Sequence, residues 1–305
     1  MRLTDAGLET VLVFEEGIEL PQFAAFPLVD SEVGRAALLR YYRPFLELAR
    51  DRQMPLVLST PTWRANDDWG RLLGYEADDL AAVNGRAVAF IESVRDDVLQ
   101  PVERGSVTIE ACIGPRGDAY RPEFLMTAEE AEEYHSVQLR TVADTGCTQA
   151  TALTLTYADE AVGIVRAARS AELPIHIGFT VETDGKLPNG DSLEDAILAV
   201  DAATDGAPLS FMINCAHPTH FADALPAGEA RKRIGGLRAN ASTRSHAELD
   251  EAEELDSGDP DDLAERYVAL RRDLPALEVV GGCCGTDIRH VTAICDAWLS
   301  ADAAH

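Results

Sequence analysis

Cys283 and Cys284 stand side by side in the segment VVGGCCGT, residues 279–286, with glycines on both sides. A third cysteine, Cys215, closes an earlier apolar run, LSFMINC, residues 209–215. Thiolates are soft ligands that favour zinc over magnesium or calcium. A structural zinc site fills all four positions with protein groups, whereas three protein ligands leave one open for chemistry. Neighbouring side chains on a regular strand point to opposite faces, so two adjacent cysteines share an ion only if the backbone turns beside them. The flanking glycines give that freedom. The competing reading is two buried core thiols, because free cysteine is often buried. Cys215 beside the polar Asn214 tips the balance to Zn2+ held by Cys215, Cys283 and Cys284. Cys112, Cys147 and Cys295 have no comparable partner and are expected in the core. His217 and His220, in CAHPTHF, are alternative ligands, and His217 is also a candidate substrate contact.

The elements that must bring these thiols together are legible as an alternation. Seven short apolar or β-branched runs are PLVLST (55–60), SVTIEACIG (106–114), ATALTLT (150–156), PIHIGFTV (174–181), LSFMINC (209–215), RIGGLRAN (233–240) and LEVVGGCC (277–284), and RLTDAGLE (2–9) is an eighth. Between them, stretches such as 36–50, 80–99, 127–146, 192–204 and 287–299 carry apolar residues three and four apart, the helical period. Thr127 followed by Glu130 has capping-box spacing. Continuous apolar strands alternating with helices predict a parallel sheet covered by helices, and eight repeats favour a closed (β/α)8 barrel, a TIM barrel of the α/β class. No G-x-G-x-x-G follows the first strand, which removes the usual dinucleotide fingerprint. A single domain over residues 1–305 is expected, with an acidic insertion around 246–267 that continues into the helix after the seventh strand.

A barrel builds its site where strands end. Those positions hold Asp5, Thr60, Gly114, Thr154, Thr156, Thr180, Glu182, Asn214, Cys215, Asn240, Cys283 and Cys284. Strands six and eight are separated by one neighbour, so their three cysteines can converge. Trp63, Tyr157 and Phe14 are aromatic residues near strand ends that could face a cation, with packing as the alternative role.

The chain carries 53 acidic and 26 basic residues, a net charge of −27, and only two lysines, Lys186 and Lys232. Such a surface repels nucleic acid and anionic membranes; it is a solvated acidic coat that would also attract a cationic substrate. Six cysteines in 305 residues are too few for a disulfide scaffold and suit a reducing compartment. With no recognisable signal peptide and no apolar run long enough to span a bilayer, a cytoplasmic protein is expected. Oligomeric state is left open, a homo-oligomer included.

MINCAHP (212–218) and GGCCGT (281–286) resemble the two zinc-binding signatures of the homocysteine S-methyltransferase family. TDAGLETVLVFEEGIEL (4–20) is similar to that family's D-G-G-x-x-T-x-L opening, and IGPRGDAY (113–120) to its G-P-x-G-x-Y segment. The likeness runs in order from about Asp5 to Cys295. It implies a (β/α)8 barrel, zinc on Cys215, Cys283 and Cys284, and Asp5 with the backbone near Ala6 and Gly7 at the amino-acid substrate. Thr60, Trp63, Glu182, Asn214, His217 and Asn240 complete the expected substrate wall. The chemistry is sound on its own terms. A free thiol has a pKa of roughly 8.5, and coordination to zinc deprotonates it near neutrality. A methyl group on a sulfonium or quaternary ammonium then moves in line to that sulfur, the protein supplying deprotonation and alignment.

Two departures bear on the acceptor. Where the family commonly carries a glutamate after the fourth strand for the substrate amino group, this chain has Leu153, so Asp5, Glu9 or Glu182 must take over, or the thiol differs. The opening reads DAG where the family has D-G-G, which places a methyl group at Ala6. About twenty residues follow the paired cysteines, which leaves no room for a cobalamin or folate module and makes S-methylmethionine or S-adenosylmethionine the expected donor. The expected reaction is methyl transfer from such an onium compound to a thiol, homocysteine first; another small thiol or selenol, a zinc hydrolase and a non-catalytic zinc-binding barrel are the alternatives.

Overall fold

A computed structural model describes residues 1–120 and 125–303. Eight strands, β1 (Arg2–Thr4), β2 (Leu56–Ser59), β3 (Val107–Ile113), β4 (Gln149–Leu155), β5 (Ile175–Phe179), β6 (Phe211–Asn214), β7 (Ile234–Ala239) and β8 (Val279–Gly282), follow one another in chain order around a closed barrel. Every pairing is parallel, and β1 closes the ring against β8 through Arg2↔Val279 and Leu3↔Val280. The strands are buried on both faces, the reason they read as unbroken apolar runs rather than alternating ones. Each expected run coincides with one strand to within a few residues, and the (β/α)8 barrel is the architecture found.

The longer helices form where local signals agree with the apolar stripe. Glu32–Arg52 opens at Ser31, whose Oγ accepts from the Gly34 amide at 2.9 Å, and stops at Gln53 in the left-handed region. Ala128–Ala143 carries both arms of the Thr127–Glu130 capping box. Asp259 caps Pro260–Asp273, with Pro260 in the first turn, where its missing N–H costs nothing. The acidic run 246–267 therefore divides. His246–Asp250 is a short helix, residues 251–259 loop back over the barrel mouth, and the remainder begins the helix that packs beside Ile288–Ala303. Among the described residues no helix is long and apolar enough to cross a membrane.

The barrel interior holds an ionic network as well as hydrocarbon. Arg238 on β7 pairs with Asp5 at 2.8 Å, both almost fully buried. The guanidinium also donates to Ser59 Oγ at 2.9 Å and to the Gly282 carbonyl at 3.1 Å. Ser59 in turn donates to Glu110 at 2.9 Å, which accepts from Thr151 at 2.6 Å and Gln149 at 3.0 Å. Burial pushes the Asp5 carboxyl up from its ordinary value, and Arg238 draws it back. A charge so enclosed is tolerable only when paired. Arg238→Leu leaves Asp5 buried without its cation, so denaturant unfolding should show a loss of about 3–5 kcal/mol. Adding Asp5→Asn to that variant should restore most of it. A single-variant loss below about 1 kcal/mol, the range of an exposed pair, would contradict this account.

Candidate metal centre

The Sγ atoms of Cys215, Cys283 and Cys284 all lie within 4.8 Å of one another, and Cys215 and Cys284 are 3.6 Å apart. Four ligands at about 2.3 Å in a tetrahedron stand about 3.8 Å from each other, so this spacing fits zinc–thiolate ligation. No disulfide forms among the six cysteines. The ionisation of the cluster is cooperative in the unfavourable sense. Hydrogen bonds from Cys215 and Cys284, aided by the charge of Arg238, hold the Cys283 thiol well below its usual range. Once that thiolate exists, its neighbours are pushed up: Cys215 by its bonds to the other two sulfurs and by burial, and Cys284, against a lowering bond from Cys215, by Cys283, burial and Glu9. Three thiolates at this separation need a shared cation.

The backbone is bent to make the cluster. Cys215 adopts φ 57°, a left-handed conformation that costs a side-chain-bearing residue energy. Three donors hold its carbonyl: His246 Nε2–H at 2.6 Å, Asn240 Nδ2 at 3.0 Å and Thr180 Oγ1 at 3.3 Å. Thr154, at the irregular end of β4, is left-handed too, with φ 64°. Asn214 pins it, accepting from the Thr154 amide and donating to its Oγ1, both at 2.9 Å. On the β8 side, Gly285 takes φ 77°, and Gly7 lies so close to the Cys283 carbonyl that a Cβ there would sit 2.5 Å from the oxygen. The adjacent cysteines thus turn through a glycine-built corner against the β1 loop.

Above the sulfurs opens a cavity of about 540 Å³. Asp5, Ala6, Gly7, Thr60 and Trp63 line it, with the three cysteines at its base. Trp63 also donates to the Leu153 carbonyl at 3.3 Å, and Leu153 presents hydrocarbon to the same space. Phe14 contributes a second aromatic wall, whereas the Tyr157 hydroxyl is engaged by the Met126 amide at 3.0 Å away from the lining. Asn214 and Asn240 sit behind the cysteines as supports and not on the cavity wall. Glu182 is also off the wall, 3.1 Å from His246 Nδ1. His217 caps Pro218–Phe221, its Nδ1 accepting from the Thr219 amide, and His220 bonds the Thr243 carbonyl. Neither histidine joins the sulfur cluster.

Four contributors escaped the reading of strand ends. Tyr120 places its hydroxyl 2.8 Å from Cys215 Sγ and 3.9 Å from Cys284 Sγ, and its ring stacks on His246 with centroids 4.1 Å apart. Tyr120 was visible as the last residue of IGPRGDAY; His246 lay inside an acidic run and gave no signal. Arg238 was detectable as a lone charge within an apolar strand. Cys112, expected in the core, is buried yet forms part of the cavity floor. Because His246 both clamps Cys215 and backs Tyr120, His246→Ala should weaken zinc roughly 10–100-fold, as loss of outer-shell support generally does. Competition with a chromophoric chelator measures this, and unchanged affinity with an intact fold would refute the clamp.

No curated protein sequence matches the chain. Its barrel superposes on the homocysteine methyltransferase MmuM from Escherichia coli in that protein's oxidised form with a TM-score of 0.77 at 16% identity, covering 99% of this chain and 96% of that one. The metallated form of MmuM gives 0.73 at 18% identity, with 97% and 96% covered. At such identities the likeness establishes the shared fold. The sequence pattern of the homocysteine S-methyltransferase family matches residues 3–298, nearly the whole chain. The chain belongs to the homocysteine S-methyltransferase family and is a methyltransferase.

Proposed function

We propose that the protein transfers a methyl group from a small onium donor, S-methylmethionine or S-adenosylmethionine, to a thiol, with homocysteine as acceptor and methionine as product, in a zinc-dependent reaction. The observation that carries this reading is the convergence of three thiols, one of them strained into place, at the floor of a cavity large enough for two small molecules. Cys215, Cys283 and Cys284 are the residues that would hold zinc, which when bound supplies the Lewis acidity that ionises a thiol near neutral pH.

The chain's own residues do the rest. The walls remove both reactants from water and hold them in one small space, where alignment lowers the barrier. Six carboxylates and only two guanidiniums line the cavity, so its potential draws in a cationic donor. Trp63 and Phe14 are the aromatic walls against which an onium methyl would rest, the Arg64 guanidinium lying 5.0 Å from the Trp63 ring centroid. The transfer balances without redox change: the donor's S–CH₃ bond breaks, a bond between that carbon and the acceptor sulfur forms, the donor departs as a neutral thioether, and the acceptor's proton leaves to solvent. Tyr120, bonded to Cys215 Sγ, orients the thiol cluster from the side of the mouth.

Two measurements test this proposal. Purified wild-type protein should carry close to one zinc per chain, and Cys284→Ser should lose most of it; equal zinc in both refutes the assignment of ligands. With labelled methyl donor and homocysteine, wild type should form labelled methionine and Cys284→Ser should be at least about a thousandfold slower, consistent with the loss of a metal that supplies several kcal/mol. Absence of methionine with every onium donor would exclude homocysteine as the acceptor.

A further inference from the structure

The cavity contains a carboxylate that the barrel itself leaves unanswered. Glu9 follows β1 in the short helix Leu8–Thr10 and lines the cavity beside the cysteines. Its charge is felt by Cys284, and it feels the charges of Cys283 and Asp5. Among the described residues its carboxylate has no hydrogen bond from another side chain and no ion pair; a hydrogen bond from its own backbone amide is what it keeps. The other acidic groups of the cavity are differently placed. Asp5 is neutralised by Arg238 at 2.8 Å and bonded by the Tyr41 hydroxyl at 3.2 Å. Asp256 accepts from Ser242 Oγ at 2.7 Å and from the Gly258 amide at 3.1 Å. Asp118 and Asp250 both have interactions of their own. Glu254 is exposed at the rim. Glu182, the remaining alternative from the sequence, is occupied by His246 and lies off the wall. On β4, the Leu153 side chain offers no acceptor, and its carbonyl already accepts from Trp63.

We propose that Glu9 receives the α-ammonium group of the amino-acid substrate that sits on the sulfur cluster. An ammonium presents three N–H donors and needs acceptors, which an aromatic face or Leu153 cannot supply. An ammonium borne three carbons from a bound sulfur, as in homocysteine, falls within the same small cavity. Burial lifts the Glu9 pKa to about 7, with Cys283 and Asp5 pushing the same way and its own backbone hydrogen bond and Arg64 only partly offsetting them. A bound cation would remove that penalty, so Glu9 is a site that gains when substrate arrives and stands exposed to a cost when it is absent. S-methylmethionine carries the same group, so donor and acceptor are two sources of one chemistry. Glu9 is here a specificity-determining residue, and the proposal rests on the thiol-methyltransferase reading above.

The test is equilibrium binding by calorimetry to zinc-loaded wild type, Glu9→Gln and Glu9→Asp, using L-homocysteine, its des-amino analogue 4-mercaptobutyrate, and S-methylmethionine. Glu9→Gln should not lower the wild-type Tm, because the carboxylate has no side-chain partner and its charge is held at a cost. It should weaken homocysteine roughly 10–100-fold, the size of one charge-assisted hydrogen bond, and leave 4-mercaptobutyrate unchanged, with partial recovery in Glu9→Asp. The same loss on S-methylmethionine in place of homocysteine overturns the assignment of Glu9 to the sulfur-bound substrate and moves the contact to the donor. Ratios unaltered by Glu9→Gln for both amino-acid ligands overturn the role of Glu9 while leaving thiol binding intact. Failure of both thiols to bind zinc-loaded wild type overturns the proposed function and this inference with it.

Discussion

Three thiols held within 4.8 Å cannot all ionise unless a cation sits among them, and much of the upper half of this barrel serves that crowding. One sulfur comes from the end of β6 and two from the corner after β8, with β7 between. Parallel strands in register bring these ends to one level. Regular strand geometry would still aim the side chains apart, so the backbone departs from it on both sides. Cys215 is left-handed under the grip of three donors on its carbonyl, and the β8 corner depends on glycine. Strain of this kind persists only where surrounding contacts over-determine it.

A second balance lies directly beneath. Arg238 on β7 reaches past β8 to Asp5 at the end of β1, and its charge helps hold the Cys283 thiol below its usual range. The same cation therefore compensates a carboxylate and a thiolate. This couples the charge state of the cavity floor to the barrel's own stability. It also leaves the β1 loop with one carboxylate, Glu9, outside the bargain.

The barrel was legible because each strand is buried on both faces and so reads as a short unbroken apolar run, bounded by glycine, proline or a helix cap. The convergence of Cys215, Cys283 and Cys284 was legible because strand ends in a barrel meet by topology alone. What stood behind them was not. Asn214 and Asn240 looked like substrate contacts at strand ends, and their side chains instead turn to backbone groups of Thr154 and Cys215. No periodicity encodes that choice, since it is made by the left-handed residues they support. His217 likewise spends its ring on a helix cap. His246 came from a loop whose composition said only that it was acidic, and its stacking with Tyr120 is a contact between residues 126 positions apart. Long-range pairs of this sort depend on how loops fold over the mouth, which strand and helix patterns leave undetermined.

The central claim is that Cys215, Cys283 and Cys284 form one open zinc–thiolate site whose remaining position accepts a substrate sulfur. X-ray absorption at the zinc edge addresses it directly. The account predicts three sulfur neighbours at about 2.3 Å in the zinc-loaded protein, rising to four when homocysteine is added. A shell dominated by nitrogen or oxygen, or a sulfur count that homocysteine leaves unchanged, would contradict it.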